Sequence, residues 1–260
     1  MPDTVGMTPG SELAGKVALV TGGARNIGRA ISRALAAGGA AVTVNANTSR
    51  ADAEQTVAMI EKSGGKAALH LADITDPAAV TAMVNAVVQR FGRIDFLVNN
   101  AVFRFPSVSL GDIKLDEWRR ALSVVLDGAF LCSQACLPHL LKAGGGTIIN
   151  MGGLTGHEGA LNHAHLVTAK AGLAGMTKAL ARDLAPHHIT VNCVVPGKID
   201  TVRGMPGTPE RSKAHASRMP PVGRFGDAEE VAAMVRMLCG PGARYVTGQS
   251  IHVNGGILMP

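Results

Sequence analysis

"VALVTGGARNIGRAI", residues 17–31, decides the fold. A short apolar run leads into a glycine turn, and an apolar pattern at helical spacing begins directly after it. A strand that feeds a helix through such a turn aims backbone N–H groups and the positive helix end at one point, which suits a pyrophosphate. Gly22 and Gly28 bracket the turn, and Asn26 stands where the middle glycine of the dinucleotide fingerprint is usual. Asparagine tolerates left-handed backbone angles better than most residues with a side chain. Gly22, Arg25, Asn26, Ile27 and Gly28 are therefore candidate contacts to a dinucleotide.

Outward from this unit the alternation continues. "AAVTVNA", "KAALHLAD", "IDFLVNN", "GTIINM", "ITVNCVVPG" and "QSIHVNGG" read as six further strands. Ile27 to Ala37, Ala51 to Ser63, Ala78 to Arg90, Asp116 to Lys142, His163 to Ala185 and Asp227 to Leu238 carry apolar residues at helical spacing. Strand and helix in alternation predict an α/β fold, a doubly wound seven-stranded parallel sheet of the Rossmann type, with residues 1–260 forming one domain. The aromatic-poor composition (one Trp, one Tyr and six Phe) with 47% hydrophobic residues fits strands buried on both faces. Residues 198–225, dense in Gly, Pro and Arg, break the alternation and are expected to form a lid or binding loop over substrate.

The net charge of +6 comes from dispersed residues without aromatic interleaving, so nucleic acid is not the expected partner and a small anionic ligand is. No apolar run looks long enough to span a membrane, and the first residues lack the apolar stretch of a secretory signal; a cytoplasmic protein is expected. Cys132, Cys136, Cys193 and Cys239 show neither disulfide nor zinc spacing and read as buried thiols, and no metal is expected.

The end of the second strand distinguishes NAD from NADP. An acid there would hold the adenine ribose and repel a 2′-phosphate, but "VTVNANTSR" offers Asn45, Asn47, Thr48, Ser49 and Arg50. With Arg25 from the glycine turn, these favour NADP(H).

"TGGARNIG", "LADITD", "LVNNA" and "VNCVVPGKIDT" together resemble the short-chain dehydrogenase/reductase family over essentially the whole chain. The resemblance implies that Asp73 and Ile74 flank the adenine, that Asn99 and Ala101 lie beneath the cofactor, and that Pro196, Gly197, Ile199 and Thr201 meet its nicotinamide end. It implies Lys170 as the lysine that bonds the nicotinamide ribose, and self-association as a homodimer or homotetramer through the long central helices. The same resemblance implies a tyrosine four residues before that lysine, a serine about thirteen residues earlier and an asparagine on the preceding long helix. Leu166, Gly153 and Val125 stand at those positions.

"GHEGALNHAHLVTAK", residues 156–170, supplies other proton-bearing groups. On a helix beginning at His163, that residue lies seven positions before Lys170 and nearly on its face, whereas His165 points away. His163 is thus the candidate proton donor, and His157, with Glu158, is a candidate to orient substrate. Phe103, Phe105, Met205 and Met219 are candidates to line an apolar pocket, and Arg104 and Arg203 to meet an acidic group.

Three functions fit these residues. The first is an NADPH-dependent oxidoreductase with a non-standard active site, reducing an activated C=N, C=C or C=O bond of a small molecule. The second is a hydrolase, lyase or isomerase that uses the histidines in the same pocket. The third is a catalytically silent NADP(H) sensor or partner subunit.

Overall fold

The computed structural model describes residues 9–103, 105–201 and 219–260. Most of the expected loop at 198–225, with Arg203 and Met205, lies outside the described residues, as does Arg104. The seven strands are β1 (Val17–Val20), β2 (Ala41–Ala46), β3 (Lys66–Leu71), β4 (Phe96–Asn99), β5 (Gly146–Met151), β6 (Ile189–Pro196) and β7 (Ser250–Val253). They form one sheet in the order β3-β2-β1-β4-β5-β6-β7. Every neighbouring pair is parallel. The order reverses between β1 and β4, and the crevice beyond their carboxyl ends is where such sheets bind ligands.

The helices are α1 (Asn26–Ala37), α2 (Arg50–Lys62), α3 (Pro77–Phe91), α4 (Leu115–Leu122), α5 (Gly128–Lys142), α6 (Thr155–Glu158), α7 (Ala164–Leu184) and α8 (Ala228–Cys239). One face of the sheet packs Ile31 and Leu35 of α1, Ile60 of α2 and Val231 and Val235 of α8 into a common core. The other packs Val84 and Val87 of α3, Cys132 and Leu140 of α5 and Leu184 of α7. Strands covered on both faces need no polar alternation, which is why β1 and β6 read as continuous apolar runs. All four cysteines are free and buried, as their spacing suggested.

Two elements depart from the sequence reading. The expected helix from Asp116 to Lys142 is interrupted by a π-helical turn at Ser123–Asp127, a widening that is frequent at functional sites. This run, Leu115–Lys142, contains an 18-residue stretch of mean hydropathy 1.5 and is long and apolar enough to cross a membrane by length and composition, contrary to the expectation that no segment is. Its apolar side chains have another use, since Cys132, Cys136 and Leu140 face the sheet while Ala121, Val125 and Ala129 join a cluster with α7. The second departure is α6, a single turn that the glycine-rich spacing concealed.

Candidate active site

The glycine turn is held from beneath. Asn100 Nδ2 donates to the carbonyls of Thr21 and Gly22, each at 3.0 Å, and Asn45 Oδ1 accepts from Gly22 N–H at 3.3 Å. The hydroxyl of Thr21 accepts from the backbone N–H groups of Asn100 and Ala101. A Cβ on Gly28 would stand 2.1 Å from the Gly22 carbonyl oxygen, and one on Gly22 would stand 2.8 Å from Ala101 Cα. Only glycine permits this closeness. Gly22 and Asn26 both have positive φ, 60° and 50°, so the asparagine takes the backbone angle for which it was singled out. The turn leaves α1 pointing its N-terminus into the crevice with no side-chain capping bond from Arg25, a cradle that fits a pyrophosphate.

Beyond β2 the side chains are Asn47, Thr48, Ser49 and Arg50, with no acid among them. Arg25 Nε lies 3.6 Å from Asp52 Oδ2, and Arg50 Nη1 lies 3.6 Å from Glu54 Oε1; both arginines are largely exposed. Asp73 is fixed by three bonds. Its Oδ1 accepts from the Thr75 N–H and hydroxyl, its Oδ2 accepts from Asn47 Nδ2 at 3.1 Å, and these donors hold its carboxyl below the usual range. Ile74 is buried beside Gly128, where a Cβ would meet its Cδ1 at 2.5 Å.

Asn99 differs from the expectation. Its side chain is buried, and its amide donates to Asn150 Oδ1 at 2.9 Å, to Ser133 Oγ and to the Ala129 carbonyl, tying β4 to β5 and α5. It supports the floor of the site from inside the core. At the far side, the Gly197 N–H donates to the Val253 carbonyl, and a Cβ on Gly197 would lie 2.6 Å from Asn254 Cα. The Pro196 carbonyl accepts from Leu154 N–H, Ile199 is buried, and Thr201 ends the described segment.

Lys170 reaches from α7 to the end of β5, where its Nζ donates to the Met151 carbonyl at 2.6 Å. Burial lowers its pKa to about 8, while Cys193 beside it acts in the opposite direction. One turn earlier, Leu166 packs on the apolar cluster of Phe105, Val125, Ala169 and Leu173. A small cleft lined by Thr21, Ile74, Ala101, Val125, Met151 and Leu173 joins the glycine turn to this cluster. A larger cavity of about 490 Å³ lies among Lys16, Arg33, Met59 and Lys66 at the opposite, amino-terminal edge of the sheet. That edge is remote from the strand ends where the chemistry of this architecture resides.

The histidines sit otherwise than the spacing predicted. α7 begins at Ala164, so His163 is its N-cap, with φ −135°, and is not a helical residue on the lysine's face. Its Nδ1 lies 2.9 Å from the Leu161 carbonyl, and since a carbonyl only accepts, Nδ1 carries the proton there. His165, expected to point away, is buried at 2% exposure against Phe105, with stacked His163 6.1 Å away. Burial first, then His163, lowers its pKa. His157 is exposed and meets His252 of β7 edge to face at 4.8 Å. The helix breaks at Asn162, whose positive φ turns the chain just before α7, and this turn is what defeats a helical projection from Lys170 back to His163. Of the four expected apolar lining residues, Phe105 is buried, Phe103 touches it at 5.3 Å while half exposed, and Met219 is exposed. Among the described residues no three His, Cys, Asp or Glu side chains converge as metal ligands.

Asn45, expected among the residues beyond β2 that favour NADP(H), instead braces the glycine turn from inside β2. Asn100 was not singled out from the sequence, although an asparagine at the end of an apolar strand next to a glycine turn is a buried polar group in need of a partner.

This geometry has relatives. The family model described as enoyl-(acyl carrier protein) reductase matches residues 22–258. The 3-oxoacyl-[acyl-carrier-protein] reductase FabG of Vibrio cholerae is 38% identical over 247 residues, covering 95% of this chain and 99% of the relative. That of Staphylococcus aureus is 40% identical over 244 residues, covering 94% and 98%. The chain belongs to the short-chain dehydrogenase/reductase family. Among solved structures, a short-chain dehydrogenase from Burkholderia cenocepacia in complex with NADP superposes with a TM-score of 0.87 at 39% identity, covering 95% of this chain and 99% of the other. The acetoin dehydrogenase of Salmonella typhimurium gives 0.84 at 34% identity, covering 93% and 95%. The chain carries the glycine turn after β1 and Lys170 of α7 around a single Rossmann sheet.

Proposed function

We propose that this short-chain dehydrogenase/reductase is an NADPH-dependent oxidoreductase with a non-standard active site, reducing an activated C=N, C=C or C=O bond of a small molecule. One observation carries the reading: the dinucleotide cradle and Lys170 are intact, while the helical turn before Lys170 presents Leu166 in one apolar cluster with Val125. When bound, NADPH supplies a hydride. Asn26, Ile27 and Gly28 would hold its pyrophosphate on backbone N–H groups, Gly22 would shape the turn with its own N–H committed to Asn45, and Asp73 and Ile74 would border the adenine. Arg25, Asn47, Thr48 and Ser49 would receive the 2′-phosphate, since the residues directly after β2 bring no acid, and the phosphate would compete with Asp52 for Arg25 and with Asp73 for Asn47. Ala101, Pro196, Gly197, Ile199 and Thr201 line the nicotinamide end, and Asn99 braces the floor.

Lys170 exchanges its Met151 carbonyl partner for the nicotinamide ribose. Apolar Leu166 and Val125 exclude water at the reacting atoms but donate nothing. An acceptor that is already cationic or electron-poor takes hydride under those conditions, and an isolated ketone does not. His163, the N-cap of α7, donates Nδ1–H to the Leu161 carbonyl, which leaves Nε2 as the ring atom that exchanges a proton with substrate. His157, paired with His252, orients substrate at the rim. The relatives are named for reducing 3-oxoacyl thioesters, whose 1,3-dicarbonyl is an activated C=O. Exposed Phe130 and Leu141 on α5 favour self-association as a homodimer or homotetramer.

The test is a fluorescence titration with NADPH and NADH, followed by NADPH oxidation at 340 nm. The probes are a cyclic imine, a cyclic enone, an acetoacetyl thioester and acetone. The expected result is NADPH-selective binding and turnover of activated probes only. Binding without any turnover would favour the silent sensor, and no binding would remove both readings.

A further inference from the structure

We propose that the Thr155 hydroxyl binds the substrate oxygen beside Lys170. The inference rests on the reductase reading and deepens it for carbonyl substrates. Among the described residues other than its chain neighbours, two atoms lie within 4 Å of a Cβ built on Gly153, Thr155 Oγ1 at 3.9 Å and Lys170 Cδ at 4.0 Å. The slot that a side chain at position 153 would fill is therefore open, bordered by the lysine stem on one side and a hydroxyl on the other. Thr155 Oγ1 lies about one hydrogen-bond length beyond the reach of a side-chain oxygen at 153, so a carbonyl oxygen seated in the slot meets it directly.

Gly156 fixes the threonine there. A Cβ at 156 would stand 2.8 Å from Lys170 Cβ and 2.9 Å from the Lys170 carbonyl carbon, so the backbone of this segment lies against α7 at the lysine itself. The turn is closed by Gly159 N–H donating to the Thr155 carbonyl and Glu158 N–H to the Leu154 carbonyl. Leu154 is in turn anchored to Pro196, whose carbonyl accepts its N–H at 3.1 Å. Both ends of the segment are thus tied to elements that line the cofactor crevice. Thr155 is half-buried, and its hydroxyl makes no protein hydrogen bond among the described residues. A rigidly held, uncommitted donor at the reacting end of the site is what a developing oxyanion requires. The hydroxyl keeps its own proton: as hydride from NADPH forms the new C–H bond, the carbonyl π pair moves onto oxygen and is stabilised by the Thr155 O–H until solvent or His163 protonates it.

The experiment measures NADPH oxidation with the N-acetylcysteamine thioester of acetoacetate for the wild type, Thr155→Val, Thr155→Ser and the double variant Gly153→Ser/Thr155→Val. NADPH affinity and melting temperature are recorded in parallel. The expected result is that Thr155→Val lowers kcat by about a hundred-fold with NADPH affinity and folding intact, and that Thr155→Ser retains most activity. Gly153→Ser recovers at least about tenfold in the Thr155→Val background, because the slot is open to a second hydroxyl. A Thr155→Val protein that is folded and within about threefold of wild type overturns the role of Thr155 while leaving the reductase standing. A wild type that binds NADPH but oxidises none of it with this thioester, the imine or the enone overturns both.

Discussion

Lys170 Nζ donates to the carbonyl oxygen of Met151 at 2.6 Å, and burial holds that ammonium at a pKa of about 8, against 10.5 in the unfolded chain. The neighbouring Cys193 thiol is itself pushed up by burial and provides no counter-charge at neutral pH. Folding therefore releases a proton between pH 8 and 10.5, and stability rises with pH across that window. Below pH 8 the cost of the buried charge is fully present. Lys170→Met removes that cost. In nucleotide-free protein it should melt above the wild type at pH 7, by the equivalent of roughly 3 kcal/mol at most, with the margin closing toward pH 10. Melting curves of both proteins from pH 7 to 10 check this, and a margin that stays constant would mean that the lysine holds its proton equally in the folded and unfolded chains, so that burial does not lower its pKa.

A methyl group on Gly28 has nowhere to go, since it would lie 2.1 Å from the Gly22 carbonyl and 2.6 Å from Asn100 Nδ2. Both neighbours are backbone or locked by hydrogen bonds, so Gly28→Ala must push α1 away from the turn. Loss of detectable NADPH binding is expected, with the sheet still folded by circular dichroism. Retention of binding within about tenfold would show that the turn yields more easily than its packing implies.

Under the proposed reading, selectivity for the 2′-phosphate would rest on Arg25, which is largely exposed and held loosely by Asp52 at 3.6 Å. Replacing it with alanine should weaken NADPH by about ten- to hundred-fold, the equivalent of one charge-assisted hydrogen bond, and leave NADH nearly unchanged. Titrations of both nucleotides distinguish this from a general loss of binding.

The sheet was legible because both faces are buried, so each strand declares itself as an apolar run and each helix by its period. The glycine turn was legible because Gly22, Asn26 and Gly28 occupy positions that backbone angle and close approach demand. The histidines were not. Projecting a helix back from Lys170 assumes that it runs unbroken to His163, but Asn162 turns the chain and α7 starts at Ala164. His165 is buried by contact with Phe105, a residue some sixty positions away that no local period reports. Thr155 was passed over because its one-turn helix is too short to give a pattern. Asn99 was assigned to the cofactor by resemblance; its Nδ2 is committed within the core to Ser133, Asn150 and Ala129, while its buried Oδ1 has no partner among the described residues and the residue lines the cleft beside Thr21 and Ala101.

Asp95 stands at the other end of β4 from the chemistry, and it separates stability from function. Its carboxylate, 2% exposed, accepts from Arg93 Nε at 2.8 Å and Nη2 at 2.6 Å, from Lys16 Nζ at 3.0 Å and from Val17 N–H at 3.0 Å. The ion pair with Asp95 raises the pKa of Arg93. Truncation to alanine strands the N–H of Val17 at the edge of the core, although Lys16 and Arg93 are partly exposed and regain water. A loss of about 2–4 kcal/mol is expected in urea unfolding at pH 7, near the lower end of what breaking a buried pair costs. NADPH affinity, measured at low temperature where the variant is folded, should match the wild type because the glycine turn is at the opposite end of β1. An affinity that falls in step with stability would mean that the clamp at Asp95 also sets the register of β1 against β4, and with it the geometry of the cradle.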